Sequence, residues 1–340
     1  MGATKWLLRK FKSINKERMN RTIEVISKES GKSKSYIIFD MAINFLTRGC
    51  GYTDYFRGNY INLTSSEKDT FVTAKSFYKF LSYMNDKKYQ VILNDKLVFN
   101  NYFDKYIKRE WINLNTSSVN DFKDFLKNKE IVFAKTPIGE GGHGVSKIVV
   151  KDYNVEKLYK DLINKKQFLV EEAIIQSDEV NEMNPSVVNS FRIVTIYKDG
   201  EVYLVNNALR VNQGVSDVIG CTDDIYFSLN EKGKIDSNVI DDYGNIYEYH
   251  PLTNKKFSEV SITGVKEAFE LVKKLHLEIP QVRYIGWDIA FTNNGPELVE
   301  GNEYPGYGLL QFYKLYDGKK TGHKKEISDI LKDEMNKIDM

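Results

Sequence analysis

Hydrophobic positions in the first part of the chain recur at helical spacing. Trp6, Leu7, Leu8 and Phe11 are followed by Ile14, and Ile23, Val25 and Ile26 extend the stripe, the three-to-four-residue period of one helix face. Ser33–Leu46 and Ala74–Met84 repeat the pattern, which predicts a mainly helical region over residues 1–90. From about Gln90 the texture changes. Val91-Ile92-Leu93, Ile131-Val132-Phe133, Ile148-Val149-Val150 and Phe168-Leu169-Val170 read as strands; Lys96–Lys108, Val119–Lys127 and Val155–Asn164 between them read as helices. Phe191–Tyr197, Glu201–Val211 and Ile225–Leu229 alternate as antiparallel strands do, with Lys198-Asp199-Gly200 as a hairpin turn. A helix over Val265–His276 precedes two last strands, Tyr284–Thr292 and Glu297–Glu300, joined by Asn293-Asn294-Gly295. Strand-rich lobes with helices on their faces predict an α+β protein rather than a regular parallel sheet.

Composition narrows the class. The 340 residues are 41% hydrophobic and 28% charged, enough to bury a sizeable core and too apolar for a disordered chain. Lys and Arg number 49 against 47 Asp and Glu, a formal +2; with no base-reading motif, this argues against a nucleic-acid partner. The excess is local. Seven basic residues against Glu17 and Glu24 in residues 1–25 suit either an anionic membrane surface or the solvated face of a packing helix. Two cysteines, Cys50 and Cys221, speak against a disulfide scaffold and for a reducing compartment. Charges interrupt the N-terminal apolar run, and Asp40 and Asn44 interrupt Tyr36–Leu46, so the expectation is a cytoplasmic protein, peripheral at the inner membrane face only if the basic helix takes the first of those two roles.

Chemistry concentrates in two places. In IVFAKTPIGEGGHGVSKIVV a strand delivers Lys135, Gly139, Gly141, Gly142 and Gly144 crowd the loop around His143, and a second strand leaves. Glycines let backbone N–H groups approach phosphate oxygens, and a lysine at a strand end adds a point charge. The alternative is a flexible surface hairpin. Lys96, at the start of a helix, is placed to face the same phosphates. Farther on, YIGWDIAFTNNGPELVEGNEYPG puts Asp288 in one strand, Glu300 at the end of the next and Asn302 two residues later. A hairpin brings the carboxylates together, alternation puts Glu300 and Asn302 on one face, and three hard oxygen ligands suit Mg²⁺. The alternative is a solvated acidic hairpin, against which stands the cost of an unpaired Asp288 in an apolar strand.

In order and spacing, Asp95-Lys96, the Lys135 strand with its glycine loop, Val170-Glu171-Glu172 and Asp288…Glu300-x-Asn302 resemble the ATP-grasp superfamily over about residues 90–312. More narrowly, Asp54-Tyr55-Phe56…Glu67-Lys68, Asn189-Ser190-Phe191-Arg192 and Ala208-Leu209-Arg210-Val211 look like the sugar-transfer-associated ATP-grasp family. Ser216–Cys221 stands where that family carries an Asp-Asn and a Gly-Gly pair. The resemblance implies an ATP-grasp fold of two α+β lobes clasping ATP, 91–180 with the glycine lid and 181–330 with the Mg²⁺ site, a helical region 1–90 before them and a tail 331–340. By the same resemblance Lys96 and Lys135 hold the α- and β-phosphates; Glu171, Glu172 and Ala173 form the adenine hinge; and Asp178 meets the ribose. Asp288, Glu300 and Asn302 hold two Mg²⁺, with Mn²⁺ as a substitute, and Arg210 and Arg192 meet the γ-phosphate.

The implied activity is a carboxylate–amine ligase forming a C–N bond through an acyl phosphate, working on a small-molecule or glycan acceptor in polysaccharide biosynthesis. A kinase acting on a sugar hydroxyl, or a nucleotide-binding scaffold without turnover, are the alternatives. Four histidines, at 143, 250, 276 and 323, show no local nucleophile pattern. None is needed, because positioning and electrostatics carry phosphoryl transfer.

Overall fold

Capping chemistry sets the helices of the N-terminal segment. Asn15 accepts the Arg18 N–H and Gly31, with φ of 68°, ends α1 (Lys16–Ser30). Ser33 accepts the Tyr36 N–H and Gly49 ends α2 (Lys34–Arg48) in the same left-handed conformation. Helices α3 (Tyr52–Arg57), α4 (Ser65–Lys68) and α5 (Ala74–Met84) follow. The computed structural model describes residues 15–139, 142–215 and 224–338; the apolar run from Trp6 to Ile14, Gly141 and Ser216–Cys221 lie outside them. The chain divides into two compact units, Met1–Phe80 with Gly306–Met340, and Leu81–Pro305.

In the first unit the C-terminal segment completes the N-terminal core. The Phe56 and Phe312 rings meet edge to face with centroids 5.5 Å apart. Buried Gln311 donates from Nε2 to Val72 O at 2.6 Å and accepts the Val72 N–H at 3.0 Å. Ile327 and Leu331 of α12 (Lys324–Leu331) are buried as well. Residues 306–330, read from sequence as part of the second lobe, cluster with the helices instead because these side chains find their partners there.

The second unit contains two antiparallel sheets, as the α+β reading expects. Strands β1 (Trp111–Asn113), β2 (Ile131–Lys135), β3 (Val145–Val149) and β4 (Leu169–Glu172) form one in the order β1-β4-β2-β3. Strands β5 (Ser190–Lys198), β6 (Glu201–Asn212), β7 (Asp224–Phe227), β8 (Ile240–Asp241), β9 (Tyr284–Thr292) and β10 (Gly295–Asn302) form the other in the order β10-β9-β5-β6-β7-β8. Positive φ at both Asp199 and Gly200 makes the β5–β6 turn. Helices α8 (Val119–Leu126) and α9 (Val155–Asn164) cover one face of the first sheet, burying Phe122 and Leu158 against Val132, Ala134 and Val170. Helix α11 (Val265–Glu278) covers one face of the second, with Phe269 and Val272 against Phe191, Trp287 and Ile289. Val91–Asn94 is a helical turn, α6, and not the strand its apolar run suggests. Only Leu93 of that run is buried, Val91 is half exposed, and no strand pairs with it.

One buried histidine ties this core to pH. His276 on α11 donates from Nε2 to Val282 O at 2.9 Å, and its Nδ1 meets Thr195 Oγ1 at 2.6 Å. Burial pushes its pKa down from 6.5 to about 3, against the pull of the Val282 carbonyl. The unfolded chain therefore takes up this proton before the folded one does. Stability on this account is full above pH 6.5 and falls by about 1.4 kcal/mol per pH unit on acidification. Urea titrations at pH 7 and pH 5 should show this loss, and His276→Gln should flatten it by one proton's worth; an unchanged slope in the variant overturns the assignment.

Candidate functional site

Alternation in the two sheets builds the site. In β2, Val132 and Ala134 turn to the covering helices, so Phe133 and Lys135 turn the other way; in β4 the same alternation sends Leu169 and Glu171 with them. These four side chains line a cavity of about 920 Å³ within the second unit. From the second sheet, Ser190, Arg192, Arg210, Asp288, Glu300 and Asn302 line it too, on the face that α11 leaves uncovered.

Three of these residues form a row across three strands: Arg192 on β5 lies opposite Asp288 on β9, which lies opposite Glu300 on β10. The two-residue turn at Asn293-Asn294 would by itself pair Asp288 with Val299. A bulge between Leu298 and Glu300 shifts the register by one residue and sets Glu300 beside Asp288, the re-aiming that such bulges produce. Both Asp288 oxygens accept from Arg192, Oδ2 from Nη2 at 2.7 Å and Oδ1 from Nε. Gly286 makes room for the arginine stem, since a Cβ there would lie 3.1 Å from Arg192 Cδ and collide with Pro305. Burial, and after it the charge on Asp288, raise the Glu300 carboxyl above its ordinary pKa against the pull of Lys96, Arg192 and Lys135.

The cations come from separate elements. Asp95 caps α7 (Lys96–Tyr102) by accepting the Leu97 and Val98 N–H groups at 2.9 and 3.2 Å. That cap fixes Lys96, which donates from Nζ to Gly139 O at 2.6 Å and so ties the helix start to the glycine loop. Arg210 pairs with Asp224 at 2.5 Å, and its buried Nε has no hydrogen-bond partner among the described residues. Ser190 Oγ, opposite Arg210 in register, is likewise buried without a partner there.

Of the residues expected from sequence, Lys96, Lys135, Gly139, Gly142, His143, Glu171, Arg192, Arg210, Asp288, Glu300 and Asn302 come together around this cavity. Gly144, Glu172, Ala173 and Asp178 do not line it. Gly144, with φ of 78°, closes the hairpin instead: its carbonyl accepts the Thr136 N–H, and a Cβ there would collide with the Thr136 side chain. Glu172 follows Glu171 in a strand and therefore points to the opposite face, where its carboxylate accepts the Glu110 N–H at 3.2 Å. Asp178 is exposed at the start of α10 (Asp178–Asn181). Apolar Phe133, Val145, Leu169, Ile174 and Val187 line the cavity as well.

Sequence reasoning missed Arg109. Its side chain is 3% exposed and donates to Glu171 Oε1 from Nη2 at 2.6 Å and from Nε at 2.9 Å. It also donates to Glu297 Oε1 at 3.3 Å and to the carbonyls of Leu298 and Val299, at 2.6 and 3.3 Å, which are the bulge itself. Glu171 in turn accepts from Asn100 Nδ2 at 2.9 Å and pairs with Lys135. Burial alone would raise the Glu171 pKa; Arg109 and Lys135 overcome it and hold the carboxyl at about 2. A three-charge chain thus joins the bulge that aims Glu300 to the lysine of the glycine hairpin.

The sequence model described as sugar-transfer associated ATP-grasp matches residues 76–315. No curated protein is significantly similar to the chain. Among solved structures, the chain is similar to a D-alanyl-alanine synthetase A from Vibrio cholerae at 13% identity and a TM-score of 0.41, over 73% of this chain and 66% of that one. It is also similar to the ATP-grasp ligase PsnB in complex with its minimal precursor (12%, 0.42, over 73% and 62%). An L-amino acid ligase from Bacillus licheniformis matches at 12% and 0.40, over 71% and 48%. The chain spans less than two thirds of the length of each of these proteins.

Proposed function

This chain belongs to the sugar-transfer associated ATP-grasp family, and we propose that it is an ATP-dependent carboxylate–amine ligase working through an acyl phosphate in glycan biosynthesis or modification. The observation that carries this reading is the row Arg192–Asp288–Glu300 sharing one cavity with Lys96, Lys135 and Arg210. Four cations beside two carboxylates and an amide match what a polyphosphate and its metal require. Lys96 and Lys135 hold phosphate oxygens, Arg210 adds its positive charge at the cavity wall for the group being transferred, and the apolar wall takes the base.

The donor set fits Mg²⁺. Asp288, Glu300 and Asn302 are hard oxygen donors on one face, and the Glu300 carboxyl, raised by burial and after it by Asp288, carries a charge that a divalent cation would stabilise. When bound, Mg²⁺ neutralises phosphate charge and orients the chain for in-line displacement. Arg192 fixes Asp288 in place by donating to both of its carboxylate oxygens.

In the reaction, an oxygen of the substrate carboxylate attacks the terminal phosphorus and the bond to ADP breaks. An amine then attacks the acyl carbon, loses a proton, and phosphate leaves. Arg192, Arg210 and the two lysines offset charge as the phosphoryl group moves. The loop Lys96 holds at Gly139 shields the acyl phosphate from water.

The test is ATP turnover with Mg²⁺ against pooled amino acids and sugar acids, following ADP and phosphate together. Acceptor-dependent release of both in equal amounts is expected. ADP without free phosphate would replace the ligase by a kinase, and bound ATP without turnover under any acceptor would replace it by a scaffold.

A further inference from the structure

Helix α2 buries one face and leaves the other bare. Ile37, Met41 and Asn44 are buried, whereas Tyr36, Ile38, Phe39, Ile43 and Leu46 are 51%, 53%, 65%, 40% and 73% exposed. The other exposed positions between Ser35 and Thr47 are Ser35, Ala42 and Thr47, so the solvent-facing surface of this stretch carries no charge. Single exposed apolar residues are ordinary; five large ones on one uncharged helix face mark an interaction surface.

Charge tells what covers it. Lys28, Lys32 and Lys34 are exposed around the start of the helix, and Lys32 Nζ stands 5.8 Å from the Tyr36 ring centre. Residues 1–48 hold eleven Lys and Arg against four Asp and Glu, a formal +7, while the rest of the chain carries −5 of the total of +2. We propose that the bare face of α2 lies in the headgroup layer of an anionic lipid bilayer, with the helix along the surface and the surrounding basic residues against the lipid phosphates. A second copy seated on this face would bring two positive segments together, +3 each over the described residues 15–48 alone, whereas an anionic membrane supplies both the apolar layer and the opposite charge. The helix lies on the membrane and does not span it. Fifteen residues extend about 22 Å against a hydrocarbon core of about 30 Å. Among the described residues no helix is long and apolar enough to cross a membrane.

Co-sedimentation of the full chain with vesicles tests this, using phosphatidylcholine alone and phosphatidylcholine containing phosphatidylglycerol. Binding to the anionic vesicles is expected, at least about tenfold above that to the neutral ones, and weakening with added salt. The pair Phe39→Gln and Leu46→Gln, both at exposed positions, should lower that partition about tenfold with an unchanged circular dichroism spectrum. Phe39→Trp keeps the face apolar and should blue-shift its fluorescence when anionic vesicles are added. Equal binding by the Gln pair, no shift from the added tryptophan, or a dimer in solution that the Gln pair splits and that ignores vesicles would each overturn the proposal.

Discussion

Glu300→Gln should lower acceptor-dependent ADP release by about a hundred- to a thousandfold while leaving the protein as stable as before or more so. The two halves of this expectation come from one arrangement. Burial and the neighbouring Asp288 already disfavour the charged form of Glu300, so an uncharged side chain of the same shape relieves repulsion in the folded state. The same charge is what draws a divalent cation to the row. Activity and stability should therefore move apart, as they do where a site is strained for its chemistry. Asp288→Asn should cost similar turnover but also stability, because it leaves Arg192, half-buried beside it, without its carboxylate. Initial rates and thermal melts of both variants decide the matter. Retained turnover in either variant, or melting temperatures that fall together with the rates in Glu300→Gln, would remove the metal assignment.

Why this row was visible in the sequence, and only partly, is instructive. Residue types and order were readable: Asp288 in a run of apolar strand residues, then Glu300 and Asn302 two apart, leave few readings other than an oxygen-ligand site. Register was not readable. Counting back from the Asn293-Asn294 turn pairs Asp288 with Val299, and the one-residue bulge that brings in Glu300 leaves no mark in composition. The glycine hairpin was readable as a unit, yet Gly144 proves to serve its closure and not its contents. Likewise the carboxylate pair Glu171-Glu172 looked like one hinge, although strand alternation sends the two to opposite faces. The apolar run at Val91–Leu93 is too short to display a period, so a helical turn passed for a strand. Arg109 was beyond reach altogether. In Ile107-Lys108-Arg109-Glu110 it resembles any solvated charge, and its partners lie 62 and 188 residues away.

Arg109→Met should destabilise the protein by about 3–5 kcal/mol, because it leaves two buried carboxylates, Glu171 and Glu297, facing no guanidinium. Arg109→Lys should recover little of this, since one ammonium cannot serve Glu171, Glu297 and two bulge carbonyls at once. Such a loss alone would show only a structural role. The informative variant is the triple change Arg109→Met, Glu171→Gln and Glu297→Gln, which removes the guanidinium together with both carboxylates it pairs with and leaves only the partly exposed Lys135 without its partner. Buried charge clusters replaced by neutral groups commonly keep or gain stability, so the triple variant should fold. It should also lose an acid sensitivity. Glu171, held at about 2 against an ordinary 4.5, stabilises the native protein fully above pH 4.5, and that contribution disappears as pH falls toward 2. Turnover, however, should stay at least about tenfold low, because Lys135 has lost the carboxylate that orients it and the Leu298 and Val299 carbonyls have lost the donors that hold the bulge. Full turnover in a stably folded triple variant would mean that the bulge and the lysine keep their places unaided and that Arg109 serves the fold alone. Low turnover with native stability would place Arg109 among the residues that aim the site, acting on Glu300 through the backbone it grips.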